Sequence, residues 1–134
     1  MGARSMSLSS YPYDATFQPP MPVVDVQFQS PGRAALPSTF SALVDSGADG
    51  TLVPIDLLEA AEARCVGVAR LRGITGAGMP VDVYVLNIRV GPHWVRGVRV
   101  VAVAAHTEIV LGRNVLNHLI VTLNGLAGVT EITV

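Results

Sequence analysis

An apolar segment that ends in an acidic residue and a glycine turn places the strongest constraint on the fold of this chain. Phe40 to Val44 has the composition of a strand, and Asp45-Ser46-Gly47-Ala48-Asp49 follows it directly. The strand would hold such a turn rigid, and the missing side chain of Gly47 lets another backbone approach closely. Asp45 is therefore either a residue that caps its own turn or a catalytic acid.

Two motifs of this chain follow each other in the same order as in one known protein family. Ala42 to Asp49 is similar to the active-site segment of the retropepsins, the retroviral-type aspartic proteases, in which Asp-Thr/Ser-Gly-Ala carries the catalytic aspartate. Glu108 to Leu116 resembles the family's apolar-apolar-Gly-Arg-Asp/Asn-Leu-Leu signature, and Val121 to Asn124 resembles the strand after it. With the glycine-rich segment between them, the resemblance spans about residues 22 to 125 and favours the catalytic alternative.

The resemblance implies a mainly β fold, a closed β-barrel of the acid protease type with one or two short helices and a flap hairpin. It implies an aspartic endopeptidase that hydrolyses peptide bonds with water and uses neither a metal nor another cofactor. The sequence contains one Asp-Ser-Gly, so a homodimer would have to supply two Asp45 carboxylates to one site. About nine residues follow the segment that matches the family, and we expect them to fold back as a hairpin. With this extension the chain resembles cellular bacterial members of the family more than a viral polyprotein fragment.

The resemblance also assigns roles around Asp45. Ser46 would donate its hydroxyl across the two-fold axis, and the small Gly47 and Ala48 would leave space for a substrate backbone. Asp49 and Arg113 would form a partly buried ion pair, and the alternative is two solvated surface charges that contribute little. Gly50 and Asn114 occupy positions where the family often has acidic residues. Polar contacts of this chain with a substrate at these positions are therefore in question.

A glycine-rich segment between the motifs is the flap candidate. Its glycines exclude a regular helix and give mobility, and its N–H groups could bind substrate carbonyls. The alternative is a generic turn. The flap residues are Gly73, Ile74, Thr75, Gly76, Ala77 and Gly78. Apolar candidates for the walls of the substrate cleft are Ala48, Ile74, Val100, Val110 and Leu111.

Hydrophobic periodicity and turn residues divide the chain into a tail and one domain. Residues 1–20 lack any period and are predicted to be a flexible tail, and residues 21–134 form the domain. Predicted strands cover residues 23–28, 38–44, 121–123 and 129–134, a hairpin covers 81–103, and helices cover 54–63 and 113–119.

Composition limits the remaining functional classes. Half of the 134 residues are hydrophobic and 14% are charged, which suits a subunit that buries one face against its own copy. The net charge of −1 argues against nucleic-acid binding. Neither a secretory signal nor an apolar segment of about 20 residues is recognisable, so no membrane association is expected.

Cysteine and histidine content points to the cytoplasm and away from a metal site. A single cysteine, Cys65, excludes an intrachain disulfide and suits a reducing compartment, so a cytoplasmic location is predicted. His93, His106 and His118 have no metal-ligand spacing with Cys65 or with one another, and no metal ligands are predicted.

Two alternatives to catalysis stay open at this level. A non-catalytic retropepsin-fold dimer could serve as a peptide-binding or assembly module if its cleft is closed or its two aspartates never meet. A structural β-domain in which Asp45 only caps a turn predicts a monomer that is indifferent to Asp45→Asn.

Overall fold

Strands dominate residues 7–72 and 78–133, which are the residues that the computed structural model describes. Two short helices interrupt them, so the predicted mainly β class is confirmed. In chain order the elements are β1 Leu8–Pro12, β2 Val23–Gln29, β3 Phe40–Val44, β4 Thr51–Pro54, α1 Ile55–Ala60, β5 Arg64–Arg72, β6 Gly78–Val90, β7 His93–Val103, β8 Ile109–Leu111, α2 Arg113–Leu116, β9 Ile120–Asn124 and β10 Val129–Thr133.

Six of the strands close into the predicted barrel. Their order is β2-β3-β8-β4-β7-β6, and β2 also pairs with β6 to complete the ring, while β5 extends from β6 outside it. The pairings of β3 with β8 and of β4 with β7 are parallel. Since the carboxyl ends of parallel strands meet at the same edge, the residues that follow β3 and β8 are neighbours. The two sequence motifs therefore meet, because they follow these strands.

Alternating side chains of the barrel strands fill its interior. Val24, Val26 and Phe28 of β2 are buried, whereas Asp25 between them is exposed. The Phe28 ring stacks on the Phe40 ring of the neighbouring strand, with 5.7 Å between centroids. This inward-outward alternation is what a closed barrel requires of its strands.

A second sheet of three strands has the order β1-β10-β9. β9 and β10 form an antiparallel hairpin, and Ile132 of β10 is fully buried in the same core as the barrel residues. The C-terminal residues thus fold back as a hairpin, as expected from the sequence.

Four strands are absent from the sequence-based assignment, namely the short barrel strands β4 and β8 and the strands β1 and β5. β1 falls within the predicted flexible tail, but it pairs with β10 from Leu8 opposite Thr133 to Pro12 opposite Val129. β5 falls in a segment without a predicted element and pairs with β6. Both are edge strands, and their partners lie elsewhere in the chain, so local periodicity did not reveal them.

Burial of Ile132 gives a direct test of the second sheet. We expect Ile132→Ala to lower the free energy of unfolding by about 2–5 kcal/mol, because the residue is fully buried in the core. Glu131→Ala is the matched control on the opposite face of the same strand, with an expected change within about 0.5 kcal/mol. Urea denaturation measures both changes, and equal small losses would show that this sheet does not pack on the barrel.

Candidate active site

Asp45 follows the last residue of β3 at the end of the barrel. Its N–H donates to the Leu111 carbonyl of β8 at 3.1 Å, which continues the parallel ladder by one residue. Its side chain is exposed, and Oδ1 accepts a hydrogen bond from the Gly47 N–H at 3.0 Å. Asp45 therefore does cap its own turn, and this bond fixes the orientation of a carboxylate that stays open to solvent.

Residues 46–48 form an accessible surface next to this carboxylate. Ser46 and Gly47 are exposed and Ala48 is half-buried. A Cβ atom at Gly47 would lie 3.2 Å from Asp45 Oδ1, which is tighter than ordinary contact. A glycine at this position lets the backbone N–H approach the carboxylate without displacing it.

Gly112 packs against the back of the same loop. It is buried, and a Cβ atom there would collide with the carbonyl of Gly50 and lie 2.9 Å from the Ala48 carbonyl oxygen. Its φ of −91° is open to any residue, so the requirement for glycine is steric. The loop of Asp45 therefore packs against the second motif at Gly112, where the absence of a side chain makes the close approach possible.

A buried hydroxyl joins the two motifs. Thr51 is fully buried, and its Oγ1 accepts from the Gly112 N–H at 3.1 Å and donates to Asn114 Oδ1 at 2.7 Å. Asn114 Nδ2 donates in turn to the Arg99 carbonyl of β7 at 2.9 Å. Sequence reasoning did not identify Thr51, and it treated Asn114 only as a departure from the family pattern.

Arg113 holds the loop through its main chain and its side chain. Its N–H donates to the Ala48 carbonyl at 2.8 Å, and Nη1 donates to the Ser46 carbonyl at 2.9 Å. Arg113 and Asp49 are both exposed. Among the described residues an ion pair joins Arg33 to Glu62, and the His106 ring contacts Asp56, so the expected pair of Asp49 with Arg113 is not formed. The guanidinium binds a backbone carbonyl of the loop instead.

The predicted walls of the cleft need correction. Val100 and Leu111 are fully buried in the core of the barrel and cannot contact a peptide. Ala48 and Val110 are half-buried. Of the flap residues, 73–77 lie outside the described residues, whereas Gly78 begins β6 and its carbonyl accepts from Arg70 Nη1 at 3.3 Å.

The described residues contain neither a cluster of metal-ligating side chains nor a helix that could span a membrane. In ranges 7–72 and 78–133, no three His, Cys, Asp or Glu side chains come together as a metal site would require. No described helix has the length and apolarity needed to cross a membrane.

The close packing of Gly112 against the loop of Asp45 predicts that one added methyl group lowers stability at this position and not at an open glycine. We expect Gly112→Ala to cost about 1–3 kcal/mol of stability, because backbone atoms of Gly50 and Ala48 must move. Gly125→Ala is the control, since a Cβ there meets nothing within 4 Å. Thermal denaturation of both variants compares them, and a Gly112→Ala protein as stable as the control would contradict the packing described here.

The Thr51 hydroxyl can be tested by two replacements of different kind. Thr51→Val keeps the shape but leaves the Gly112 N–H without its acceptor, so we expect a loss of about 1–3 kcal/mol. Thr51→Ser keeps the hydroxyl and should lose less. Chemical denaturation ranks the two variants, and a serine variant less stable than the valine variant would mean that methyl packing matters more than the hydrogen bonds.

Comparisons with known proteins agree with this geometry. The crystal structure of a retropepsin-like aspartic protease from Rickettsia conorii covers 99% of this chain and 97% of its own, with a TM-score of 0.60 and 9% sequence identity. At this identity the similarity establishes the fold. No curated protein matches the chain in sequence. The family model described as "gag-polyprotein putative aspartyl protease" matches residues 37–118, which include both motifs and more than half of the chain, and the chain belongs to this family.

Proposed function

We propose that this protein is an aspartic endopeptidase that is active as a homodimer, with one Asp45 from each subunit in a shared site. The observation that carries the proposal is an exposed Asp45 carboxylate on a loop that is fixed from behind. Main-chain bonds to Leu111 and Arg113 and a side-chain bond from Arg113 hold that loop, and Gly112 bonds to Thr51 just after it. A turn that needed only a cap would not require such support from a motif more than 60 residues away.

The single Asp-Ser-Gly makes the dimer a chemical requirement. Peptide hydrolysis by carboxylates needs one group that accepts a proton and one that donates a proton. Two carboxylates about 3 Å apart share one proton because both cannot ionise together, a behaviour established for aspartic proteases as a class. Two Asp45 side chains on a two-fold axis would titrate as one unit.

The proposed reaction uses only water and the two carboxylates. The ionised Asp45 takes a proton from water as the water oxygen bonds to the peptide carbonyl carbon, and the protonated Asp45 donates to the carbonyl oxygen. The tetrahedral diol then breaks its C–N bond as the nitrogen takes the proton that the first Asp45 accepted from water, and one diol hydroxyl returns its proton to the second Asp45. This leaves a carboxylic acid and an amine and restores the starting protonation of the pair. Substrates are extended peptides or unfolded protein segments, because the site lies on an open surface of each subunit. The exposed, unpaired thiol of Cys65 suits a reducing location such as the cytoplasm.

Loss of one carboxylate tests the reaction. We expect wild type to cleave a denatured protein mixture between pH 3 and 8, and Asp45→Asn to lose at least about 10²-fold in rate. Asp25→Asn is the control, since Asp25 is an exposed acid of β2 outside the site. Cleavage is followed by the release of new amino groups, with oligomer size measured at the same concentrations. A dimer of wild type without cleavage would support the peptide-binding or assembly module, and an active Asp45→Asn protein would refute the mechanism.

Mixed dimers test whether both aspartates serve one site. After subunit exchange between equal amounts of wild type and Asp45→Asn, only dimers with two wild-type chains would be active, so about a quarter of the total dimer population would retain activity. If each subunit worked alone, about half of all subunits would remain active. Activity measured over a series of mixing ratios separates a quadratic from a linear dependence on the wild-type fraction.

A further inference from the structure

A cavity of about 360 Å³ lies where the loop after β2 and the segment after α1 meet strands β5 and β6. Its polar lining consists of Ser30, Arg33, Glu62 and Arg64, and its apolar lining consists of Pro31, Val66 and Val85. None of these residues belongs to either motif of the Asp45 site. Small-molecule sites combine an apolar wall with a few convergent polar groups in a volume of about 300–1,000 Å³, and this cavity has both properties.

Strands β5 and β6 build one wall of the cavity. Arg64 of β5 is paired opposite Val85 of β6, and residues directly opposite each other on paired strands share a face of the sheet. The register shifts between Cys65 and Gly67, which leaves Val66 as the extra residue of a bulge. Since a bulge re-aims a side chain, it accounts for Val66 lining the same cavity as Arg64. A guanidinium and an apolar surface therefore lie side by side.

Ser30 provides a hydroxyl group on the opposite wall. The residue is 4% exposed, and its carbonyl accepts from the Arg33 N–H at 3.0 Å, which closes the turn after β2. Within ranges 7–72 and 78–133 no side-chain or main-chain group forms a hydrogen bond with its hydroxyl. A hydroxyl that the fold does not use can donate to a ligand in the cavity that it lines.

The charges of the cavity favour an anion. Arg33 and Glu62 form an ion pair, and their side chains are 60% and 62% exposed, so the pair contributes little to stability. Arg64 is exposed, and among the described residues no acid pairs with it. A guanidinium carries five N–H donors, so Arg33 retains donors beside those that bind Glu62. The lining thus has two cations for one anion.

The wider charge distribution acts in the same direction. Residues 64–103, which contain β5, β6 and β7, carry six arginines and a single acidic residue, Asp82. The remaining residues carry three arginines and nine acidic residues. The small net charge of the chain therefore conceals a basic sheet, and the potential of such a sheet attracts anions to the cavity at its edge.

We propose that this cavity binds a carboxylate that is attached to a short aliphatic body. Arg64 and Arg33 would donate to the carboxylate oxygens, Ser30 would add a hydroxyl donor, and Val66 and Val85 would contact the aliphatic part. A free short-chain acid and the C-terminus of a peptide with an aliphatic last residue share this chemistry. The inference goes beyond the proposed function, because binding needs neither the carboxylate pair nor a second subunit.

Titration with hexanoate tests the site directly. Hexanamide is the neutral control with the same aliphatic body, and the methyl NMR signals of Val66 and Val85 report occupancy of the cavity. We expect hexanoate to bind at least about tenfold more tightly than hexanamide, because its bonds to guanidinium groups are charge-assisted. Equal dissociation constants, or a titration that leaves the signals of both valines unmoved, would overturn the inference.

Three variants distinguish the cavity from the basic sheet as a whole. Arg64→Gln should raise the dissociation constant of hexanoate about tenfold. Arg70→Gln is the matched control, since Arg70 is an exposed arginine of the same strand that does not line the cavity, and the constant should stay unchanged. Glu62→Gln should lower the constant, because it removes a negative charge from the lining.

The contrary pattern in these variants is well defined. Equal losses of affinity in Arg64→Gln and Arg70→Gln would show general attraction to the sheet and would overturn a built site. Thermal denaturation of each variant establishes that it is folded before its affinity is compared.

A peptide arm distinguishes the two sources of the carboxylate. N-acetyl-Ala-Ala-Val with a free carboxylate and its C-terminal amide are titrated into Asp45→Asn protein, so that the proposed cleavage does not consume them. Tighter binding of this acid than of hexanoate would identify a chain terminus as the ligand, and the reverse order would identify a free acid. If neither acid binds more tightly than its own amide, the inference is wrong, whether or not the wild-type protein cleaves peptides.

Discussion

The parallel pairing of β3 with β8 is the constraint on which the rest of the site depends. It sets Val44 opposite Leu111, so that the next residues, Asp45 and Gly112, lie side by side at one end of the barrel. Neither motif could position a carboxylate alone, because a turn without the second motif behind it would lack the bonds to Ala48 and Ser46. The barrel brings together two short segments that are far apart in the chain.

This arrangement separates rigidity from exposure. The loop is held by main-chain groups and by the Arg113 guanidinium, and the buried Thr51 hydroxyl fixes Gly112 behind it. The carboxylate that the loop carries faces solvent. Each chain also completes its own barrel and its own hydrophobic core. The groups that fix the loop therefore all belong to one chain, whereas the proposed chemistry requires two.

Local sequence patterns predicted those parts of the fold and of the site that depend mainly on neighbouring residues in the chain. The Asp-Ser-Gly and Gly-Arg-Asn segments, the barrel class and most of the inner strands were accessible because alternation and turn residues mark them. The role of Thr51 could not be predicted, since its partner Asn114 lies 63 residues away and the burial of its hydroxyl is visible only in the fold. Arg113 showed the same limit, because a guanidinium can bind a carboxylate or a carbonyl and the sequence does not choose between them. The edge strands β1 and β5 and the short barrel strands β4 and β8 were missed, because their partners are distant in the chain.

The proline at the end of β1 has a consequence for how far such a sheet can grow. A sheet with two equivalent free edges can add copies without limit and form fibres, whereas this sheet has a withdrawn edge at β1 and an open one at β9. The asymmetry between the two edges therefore works against open-ended growth, because a strand added at β9 has no equivalent edge to continue from at β1.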